Sequence, residues 1–408
     1  MKTIKYIILC GLFAPSVSHA KVTLENAVEI ALKENTEIKS ARADFESKKH
    51  LVTGAYTPDD PMIGVSRLER GLETTYFTIT QKFRFPTKYF IEGKAMKQNS
   101  LAKKAEYDLT ILETRKKVVD VYYDLYRLQK YISYTLSNLQ SVKEVARVAE
   151  KKQASGSGIQ ADSMRSHLEI TKLELDLLNY RQEEKSAQAR LKEVVGDEDF
   201  FSKDLKSISA KRPKIDNQKM KQLEEALKKK NFSSSNQIKI KKHELEAAKL
   251  KGSLAKWEFA PDIQLQYQQA FDGKPEDSRI YGIGISFPLF FWGKSAKASA
   301  ASKEHISKSY ALTSVQRKLS ASLVDLLGKV KTTQKTLTIY DTTLIPQAEG
   351  TYNSSLSAYR AGKLRLIGLL DSERSLYQIR LGYFKTLHLF TKNLSELETI
   401  SGIIISDL

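Results

Sequence analysis

The longest regular pattern in the chain is a stripe of apolar residues that recurs at steps of three and four. It lies within residues 94–155, which contain neither Gly nor Pro and therefore predict one uninterrupted helix. The stripe comprises Val118, Val121, Leu125, Leu128, Ile132, Leu136, Leu139, Val142, Ala146 and Ala149. Such spacing is typical of a coiled coil. At 1.5 Å per residue the helix would be about 93 Å long, which predicts an elongated molecule.

Two shorter stretches without Gly or Pro flank this helix, at residues 21–53 and 159–195. Each is long enough to form a helix, and end to end they would reach about 105 Å. Together they could line the whole long helix. The pattern therefore predicts a long antiparallel coil.

A period of two replaces the helical pattern in two segments, which predict β-hairpins at residues 62–85 and 262–291. In the second hairpin Ile263, Leu265 and Tyr267 alternate with glutamines. Aromatic residues gather at the strand ends, namely Phe83, Phe85, Phe287, Phe290, Phe291 and Trp292. Strands of about ten residues with this alternation and fringe are typical of a transmembrane barrel wall. A half-buried sheet covered by helices is the alternative.

A barrel wall would need more strands than this chain supplies. Single-chain barrels begin at eight strands, and an open edge in lipid leaves backbone groups unpaired. Several chains must then share one barrel. Because both hairpins begin and end in helices, the helices would leave the barrel on the same side and continue it as a tube.

The helix and hairpin pattern occurs twice. Residues 24–28 align with 223–227 at an offset of 199, Phe85-Pro86 with Phe287-Pro288 at 202, and Gly156 with Gly362 at 206. So small a drift indicates a duplicated unit with short insertions. The predicted organisation is a first repeat at 21–196, a linker at 197–213 and a second repeat at 214–408.

The first twenty residues predict a secretory leader. Lys2 and Lys5 precede an apolar run, and Ser18 and Ala20 stand where a signal peptidase requires small residues. The chain's one cysteine, Cys10, would leave with the leader. Disulfides, thiolate metal sites and cysteine nucleophiles are then excluded from the mature chain. The residue before Cys10 does not match a lipoprotein signal, so no lipid anchor is expected there.

Composition excludes two further classes. A mean hydropathy of −0.40 with 28% charged residues is too polar for a bundle of membrane-spanning helices, and 41% hydrophobic residues are too many for a disordered chain. The net charge of +18 is concentrated in residues 203–256, with sixteen Lys and Arg against six Asp and Glu. A solvated helix face or a site for acidic envelope polymers would explain this stretch. Nucleic acid is not expected for a secreted chain.

No motif predicts an enzyme, a cofactor or a metal site. The sequence Gly293-Lys294-Ser295 resembles the end of a phosphate-binding loop, but bulky apolar residues precede it where small ones are needed. The histidines outside the leader are scattered and predict surface positions: His50, His167, His243, His305 and His388.

Three segments carry a family resemblance: the opening 23–35, the strand 78–86, and Tyr359-Arg360-Ala361-Gly362 followed by 369–377. On these residues the chain resembles the TolC family of bacterial outer-membrane efflux channels, over essentially its whole mature length. The resemblance implies a homotrimer whose four strands per chain make a twelve-stranded barrel above a periplasmic helical tunnel. It also implies a periplasmic adaptor and an inner-membrane pump as partners, with the adaptor contacting turns at Gly156, Gly158 and Gly362. The strand pattern is closest to the cation-efflux branch.

The resemblance also implies a gate of charged residues near the turns. Asp162 matches an acid of the family's first hairpin, whereas the equivalent position in the second hairpin is Gly368. Asp371 matches an acid of some members, and Arg365 lies near a position that is often basic. Three copies of Asp371 around a pore would concentrate negative potential.

Ordinary structural roles are the alternative for these gate candidates. Asp162 could be a helix N-cap, and Asp371 could pair with Arg374 one turn away. Two functions remain open at this point: a passive outer-membrane exit duct for metal cations or drugs, and a soluble periplasmic coiled-coil adaptor or scaffold.

Overall fold

A computed structural model describes residues 23–70, 72–156, 158–196, 208–229, 232–271, 278–287 and 289–407. The predicted leader, with Cys10, lies outside the described residues, as do positions 197–207 of the predicted linker. The same element order occurs twice, which confirms a mainly helical fold with a small β part and an internal repeat. In the part of the chain that is described, no helix is both long and apolar enough to cross a membrane.

The first repeat contains α1 (Leu24–Glu34), α2 (Thr36–Gly54), β1 (Met62–Arg70), β2 (Leu72–Phe83), α3 (Pro86–Ala154) and α4 (Gln160–Val195). The second contains α5 (Asn217–Lys228), α6 (Asn236–Trp257), β3 (Asp262–Phe271), β4 (Arg279–Ser286), α7 (Phe291–Ile339), a π-helical turn (Tyr340–Leu344), α8 (Ile345–Arg360) and α9 (Leu366–Ser401). With 69 residues, α3 is about 104 Å long.

The stretch at residues 21–53 is two helices rather than one. Asn35 separates them, because its Oδ1 accepts hydrogen bonds from the backbone N–H groups of Glu37, at 2.9 Å, and Ile38, at 3.2 Å. These bonds cap the second helix. Its Nδ2 donates to the carbonyl of Val194 at 2.8 Å and so ties the break to the end of α4. The side chain thus satisfies backbone groups that a continuous helix would have paired itself.

Both hairpins end earlier than the alternating pattern indicates. β2 ends at Phe83 and β4 at Ser286, and Phe291 already belongs to α7. A proline follows closely in both repeats, at Pro86 and Pro288. Proline has no N–H to continue a ladder, and Pro86 instead takes the first position of α3.

The two hairpins form one antiparallel sheet in the order β1-β2-β3-β4. β2 pairs with β3 over nine residue pairs, from Thr75↔Phe271 to Phe83↔Ile263, so the sheet joins the two repeats. Residues directly opposite each other share a face. Ile63, Ile79, Tyr267 and Tyr281 form one row across all four strands.

That row lies on an apolar face that none of the described residues covers. Tyr281 is 77% exposed and Ile283 is 78% exposed, and Ile63 and Val65 are also exposed. The opposite face carries threonines, glutamines and glycines, such as Thr78, Gln268 and Gly282. The helix-covered sheet considered as an alternative is therefore wrong.

A buried ion pair joins the start of α3 to the start of β3. The Lys88 side chain is almost fully buried, and its Nζ donates to Asp262 Oδ1 at 2.7 Å and to the carbonyl of Ala260 at 3.0 Å. Asp262 Oδ1 also accepts from the backbone N–H of Phe85 at 3.0 Å. One carboxylate therefore ties the first repeat to the second where the helices meet the sheet.

The end of the chain is fixed by Glu398, a buried residue of α9. Its Oε1 accepts hydrogen bonds from Ile405 N at 2.7 Å, Ser406 N at 2.8 Å and Ser406 Oγ at 2.7 Å. Its Oε2 lies 3.1 Å from Arg115 of α3. Ser406 in turn pairs with Ile215 in an isolated bridge, so this carboxylate organises the tail and the start of the second repeat.

The π-helical turn distinguishes the second repeat from the first. It lies directly before Pro346, whose missing N–H and bulky ring disturb the regular helical ladder. Tyr340 projects from the turn onto α9, where a Cβ on Gly382 would come within 2.6 Å of its hydroxyl. Gly382 therefore provides the space that the aromatic ring occupies.

Candidate functional site

The candidate site is the end of the molecule where the two helical hairpins turn. Gly156, with φ 73°, and Gly362, with φ 71°, have the left-handed conformation that favours glycine. After the second turn Lys363 N donates to the carbonyl of Ala358 at 2.9 Å. Both glycines are exposed. At Gly158 a Cβ would stand 3.0 Å from the backbone nitrogen of Gln153, so that position is sterically restricted.

A buried cluster packs the two hairpins against each other near these turns, and we refer to it as the tip cluster. The first hairpin contributes side chains from α3 and α4, and the second from α8 and α9. Its members are Leu139, Val142, Val145, Ala149, Leu173, Tyr359, Leu366, Leu369, Leu370 and Tyr377. Beside it, a groove of about 540 Å³ between α3 and α8 is lined by Val145, Val148, Tyr352, Leu356 and Tyr359, among others.

The structure brings Asp162 close to the second hairpin. Burial raises the pKa of Tyr359, and the negative charge of Asp162 raises it further, so Asp162 lies near this residue of the second hairpin. Asp162 lies in the first turn of α4, but Ile159 occupies the N-cap. The alternative role of Asp162 as an N-cap is therefore wrong. Its charge still favours the helix N-terminus.

The other two gate candidates lie on α9 and are exposed. Arg365 occupies the N-cap position of that helix. Asp371 Oδ1 lies 3.6 Å from Arg374 Nη1, and the Asp371 side chain is 60% exposed. Arg374 also holds Glu169 of α4 with two contacts, Nε to Oε1 at 3.3 Å and Nη2 to Oε2 at 2.8 Å. Asp371 thus belongs to a charged group that links the two hairpins.

Glu373 is a site residue that the sequence pattern did not indicate. It lies two residues from Asp371 but points inward and is 4% exposed, and neither carboxyl oxygen has a hydrogen-bond partner among the described residues. Burial raises its pKa to about 7, with a smaller contribution from the charge of Glu169. Its spacing from Leu366, Leu369 and Leu370 on the buried face of α9 could have indicated burial.

His388 is a second residue that the sequence placed wrongly. Its side chain is largely buried, with Nε2 2.8 Å from Asp120 Oδ1 and Nδ1 3.7 Å from Asp124 Oδ1. Burial would raise the pKa of Asp120, but the hydrogen bond with His388 and the charge of Lys392 leave it below the ordinary value. His243 is half-buried against Gln98, and burial lowers its pKa. Among the described residues, no group of three or more His, Cys, Asp or Glu could hold a metal ion.

The predicted aromatic fringe lies at the opposite end, where helices and sheet meet. Phe287, Phe290, Phe291 and Trp292 are each more than 60% exposed, and Phe290 and Phe291 each contact the Trp292 ring edge-on. Phe83 is partly exposed. Phe85 instead stacks on Trp257 at a centroid distance of 5.4 Å, so it also packs the sheet against α6.

The basic stretch at 203–256 is described only in part, since 203–207 and 230–231 lie outside the described residues. Several of its charged side chains pair with one another or with α7, for example Lys241 and Lys308 with Glu244, both at 2.8 Å. Glu224 pairs with Lys331 at 2.7 Å. Part of this charge therefore serves helix packing.

Comparison with known proteins connects this architecture to one family. Residues 230–402 match the model of the outer membrane efflux protein family. The cobalt-zinc-cadmium resistance protein CzcC of Cupriavidus metallidurans is 20% identical over 389 residues, covering 91% of this chain and 88% of the relative.

Solved outer-membrane proteins share the fold. The CmeC outer membrane channel of Campylobacter jejuni superposes with a TM-score of 0.79 at 13% identity, covering 95% of this chain and 87% of that one. VceC of Vibrio cholerae gives a TM-score of 0.78 at 15% identity, covering 93% and 96%. At such identities these two matches establish the fold.

Proposed function

Because this chain carries an outer membrane efflux protein domain at residues 230–402, we propose that it is the outer-membrane channel of a tripartite efflux system. It acts as a passive exit duct in the cell outer membrane, with its helical part in the periplasm. An inner-membrane pump supplies the energy, and a periplasmic adaptor connects the pump to the turns at Gly156, Gly158 and Gly362. The protein itself is not an enzyme and needs no cofactor.

The uncovered apolar face of the sheet is the observation that carries this proposal. An apolar face of this size is unstable in water and stable against lipid. Among the described residues, the outer edges of β1 and β4 have no strand partner, and lipid does not tolerate open edges. Three chains joined edge to edge would form a closed barrel of twelve strands. In that barrel the apolar face contacts lipid and no strand edge remains open. The soluble adaptor or scaffold alternative leaves this face without a role.

A second observation supports the homotrimer. Met164, Leu168, Leu175 and Leu178 form an exposed apolar stripe on α4, with the spacing of a coiled-coil seam. Among the described residues of one chain, no helix covers this seam. In the trimer it packs against a neighbouring protomer and closes the helical tube.

We expect the double substitution Leu175→Lys and Leu178→Lys to abolish most of the trimer, because six charges would enter one apolar assembly. The trimer is measured as a heat-sensitive band on denaturing gels of outer membranes. Glu174→Lys is the matched control, since Glu174 is exposed and pairs with Lys143 across 3.1 Å. Trimers that survive the double substitution would contradict the seam. Recovery of the wild-type protein as a soluble periplasmic monomer would contradict the proposed function.

The gate is formed by Asp162, Arg365 and Asp371 at the tip. In planar bilayers we expect Asp371→Ala to lower cation preference and Arg365→Ala to raise it, each severalfold, because a unit charge at 4 Å contributes about 1 kcal/mol even in water. Glu396→Ala, in the distant half of α9, is the control. If both tip variants conduct like the wild type, the gate assignment is wrong.

Metal cations are the proposed substrates, because the relative CzcC is named for cobalt, zinc and cadmium resistance. Drugs are the alternative. A deletion strain grown on metals and on drugs separates the two. Sensitivity to drugs alone would overturn the cation assignment.

A further inference from the structure

The tip contains a small cavity, partly open to solvent, with one unusual wall. It has a volume of about 50 Å³, enough for one or two water molecules. α3 contributes Tyr134, Ser137, Asn138 and Ser141, α8 contributes Tyr352, and α9 contributes Glu373, Leu376, Tyr377 and Arg380. The unusual wall is Glu373, whose two carboxyl oxygens are buried without a partner.

The neighbouring groups are committed to other partners. Arg380 pairs with Glu349 of α8 at 2.7 Å and lies over the Tyr134 ring at 5.3 Å. The hydroxyl of Tyr377 is 2.8 Å from Thr135 Oγ1. The nearest further charges do not offset an ionised Glu373, because Glu169 of α4 is itself negative and holds Arg374.

We propose that Glu373 and this cavity form a proton-binding site, whose occupation holds α8 and α9 packed against α3 and whose emptying favours opening of the tip. The inference rests on the proposed channel function, because it assigns a regulator to the gate of that channel.

The physical reason for this coupling is that an unpaired charge loses hydration free energy when it is buried. A protonated carboxyl is neutral and fits the cavity, whereas a carboxylate there could contact at most the one or two water molecules that the cavity admits, and no counter-charge pairs with it among the described residues. The charge is fully hydrated only if α9 separates from α3 and α8. Glu373 lies eleven residues beyond Gly362 on the helix that descends from the turn, so this separation would directly disturb the tip cluster.

The direction of the pH effect follows from the position of the pKa. The packed tip binds the proton more tightly than an open tip does, since the pKa of Glu373 is raised from 4.5 to about 7 when packed. The packed form is therefore most favoured below the ordinary pKa. As pH rises toward 7, the equilibrium constant that favours the packed form over the open form falls by up to about tenfold per pH unit.

The test measures hydrogen exchange of residues 366–377 in the assembled trimer at pH 5.5 and pH 8.5, in wild type and in Glu373→Gln. The ratio between the two proteins at one pH cancels the intrinsic pH dependence of exchange. We expect the ratio of the wild-type exchange rate to the variant exchange rate to be about tenfold or more higher at pH 8.5 than at pH 5.5. A ratio that does not change would overturn the proposal.

Two further variants and one further measurement keep the result unambiguous. Glu373→Met removes the carboxyl without adding a polar group, and it replaces the Gln variant if that one does not assemble. Glu396→Gln is the matched control on α9 and should follow the wild type. In planar bilayers, wild-type open probability should rise with pH and that of Glu373→Gln should not. A wild-type channel whose opening is independent of pH overturns the proton site alone, whereas absence of any channel overturns the proposed function.

Discussion

Asp262→Ala is expected to destabilise each protomer by about 3–5 kcal/mol, because it leaves the ammonium of Lys88 buried without its counter-charge. The 2.7 Å ion pair closes the junction between α3 and β3, and the remaining contact of Lys88 is the carbonyl of Ala260. The effect should be visible as a large fall in the temperature at which the trimer dissociates. It should also lower the yield of assembled protein in the outer membrane.

A double substitution separates the free-energy cost of an unpaired buried charge from the general cost of changing these residues. Lys88→Met combined with Asp262→Leu should be less destabilised than Asp262→Ala alone, because no unpaired charge remains. Lys329→Met is the matched control. Its ion pair with Asp325, at 2.6 Å, has both side chains more than half exposed and is worth at most about 1 kcal/mol. Equal losses in Asp262→Ala and Lys329→Met would show that burial of the junction pair has no special role.

Glu398→Ala should release the chain's last residues and destabilise the protein by about 3–5 kcal/mol. The substitution removes the acceptor of Ile405 N, Ser406 N and Ser406 Oγ and the counter-charge of Arg115. Brief proteolysis followed by mass measurement should then detect cleavage after residue 402 in the variant and none in the wild type.

The control for this prediction is on the same helix. Glu396 lies two residues earlier, is more exposed, and pairs with Lys116 at 2.8 Å. Glu396→Ala should leave the tail protected and change stability by less than about 1 kcal/mol. A tail that remains protected in Glu398→Ala would mean that its hydrogen bonds with Lys214, Asp216 and Lys219 and the bridge with Ile215 are sufficient to hold it.

The elements of this fold could be predicted because their periods extend over many residues. The stripe along α3 and the alternation in β3 each repeat often enough to fix the element type and the exposed face. Breaks within a helical stretch, such as the one between α1 and α2, were missed because a single side chain determines them. Asn35 caps α2 from within an otherwise helical stretch, and no period contains that information.

The inward side of the candidate site was missed because the residue types alone do not show which face of α9 each charge occupies. In the sequence, Glu373 is one of three charged residues within 371–374, which is typical of a solvated helix face. Its burial depends on α3 residues such as Ser137, which are distant from it in the chain. His388 is placed by Asp120 across a similar separation. A polar residue on the face that α9 turns toward the core is the signal that a helical projection would have detected.

The π-helical turn at Tyr340–Leu344 makes the two arms of this duplicated chain mechanically different. α3 has 69 residues, whereas α7 with 49, the π-helical turn with 5 and α8 with 16 together have 70, so the second long arm contains one extra position. One extra residue shifts the helical phase of every side chain beyond it by about 100°. The wide π-helical turn takes up that residue locally. Bending should therefore be spread along α3 in one arm and concentrated beneath Gly382 in the other, which makes the second arm the more easily deformed half of a structure that the sequence encodes twice.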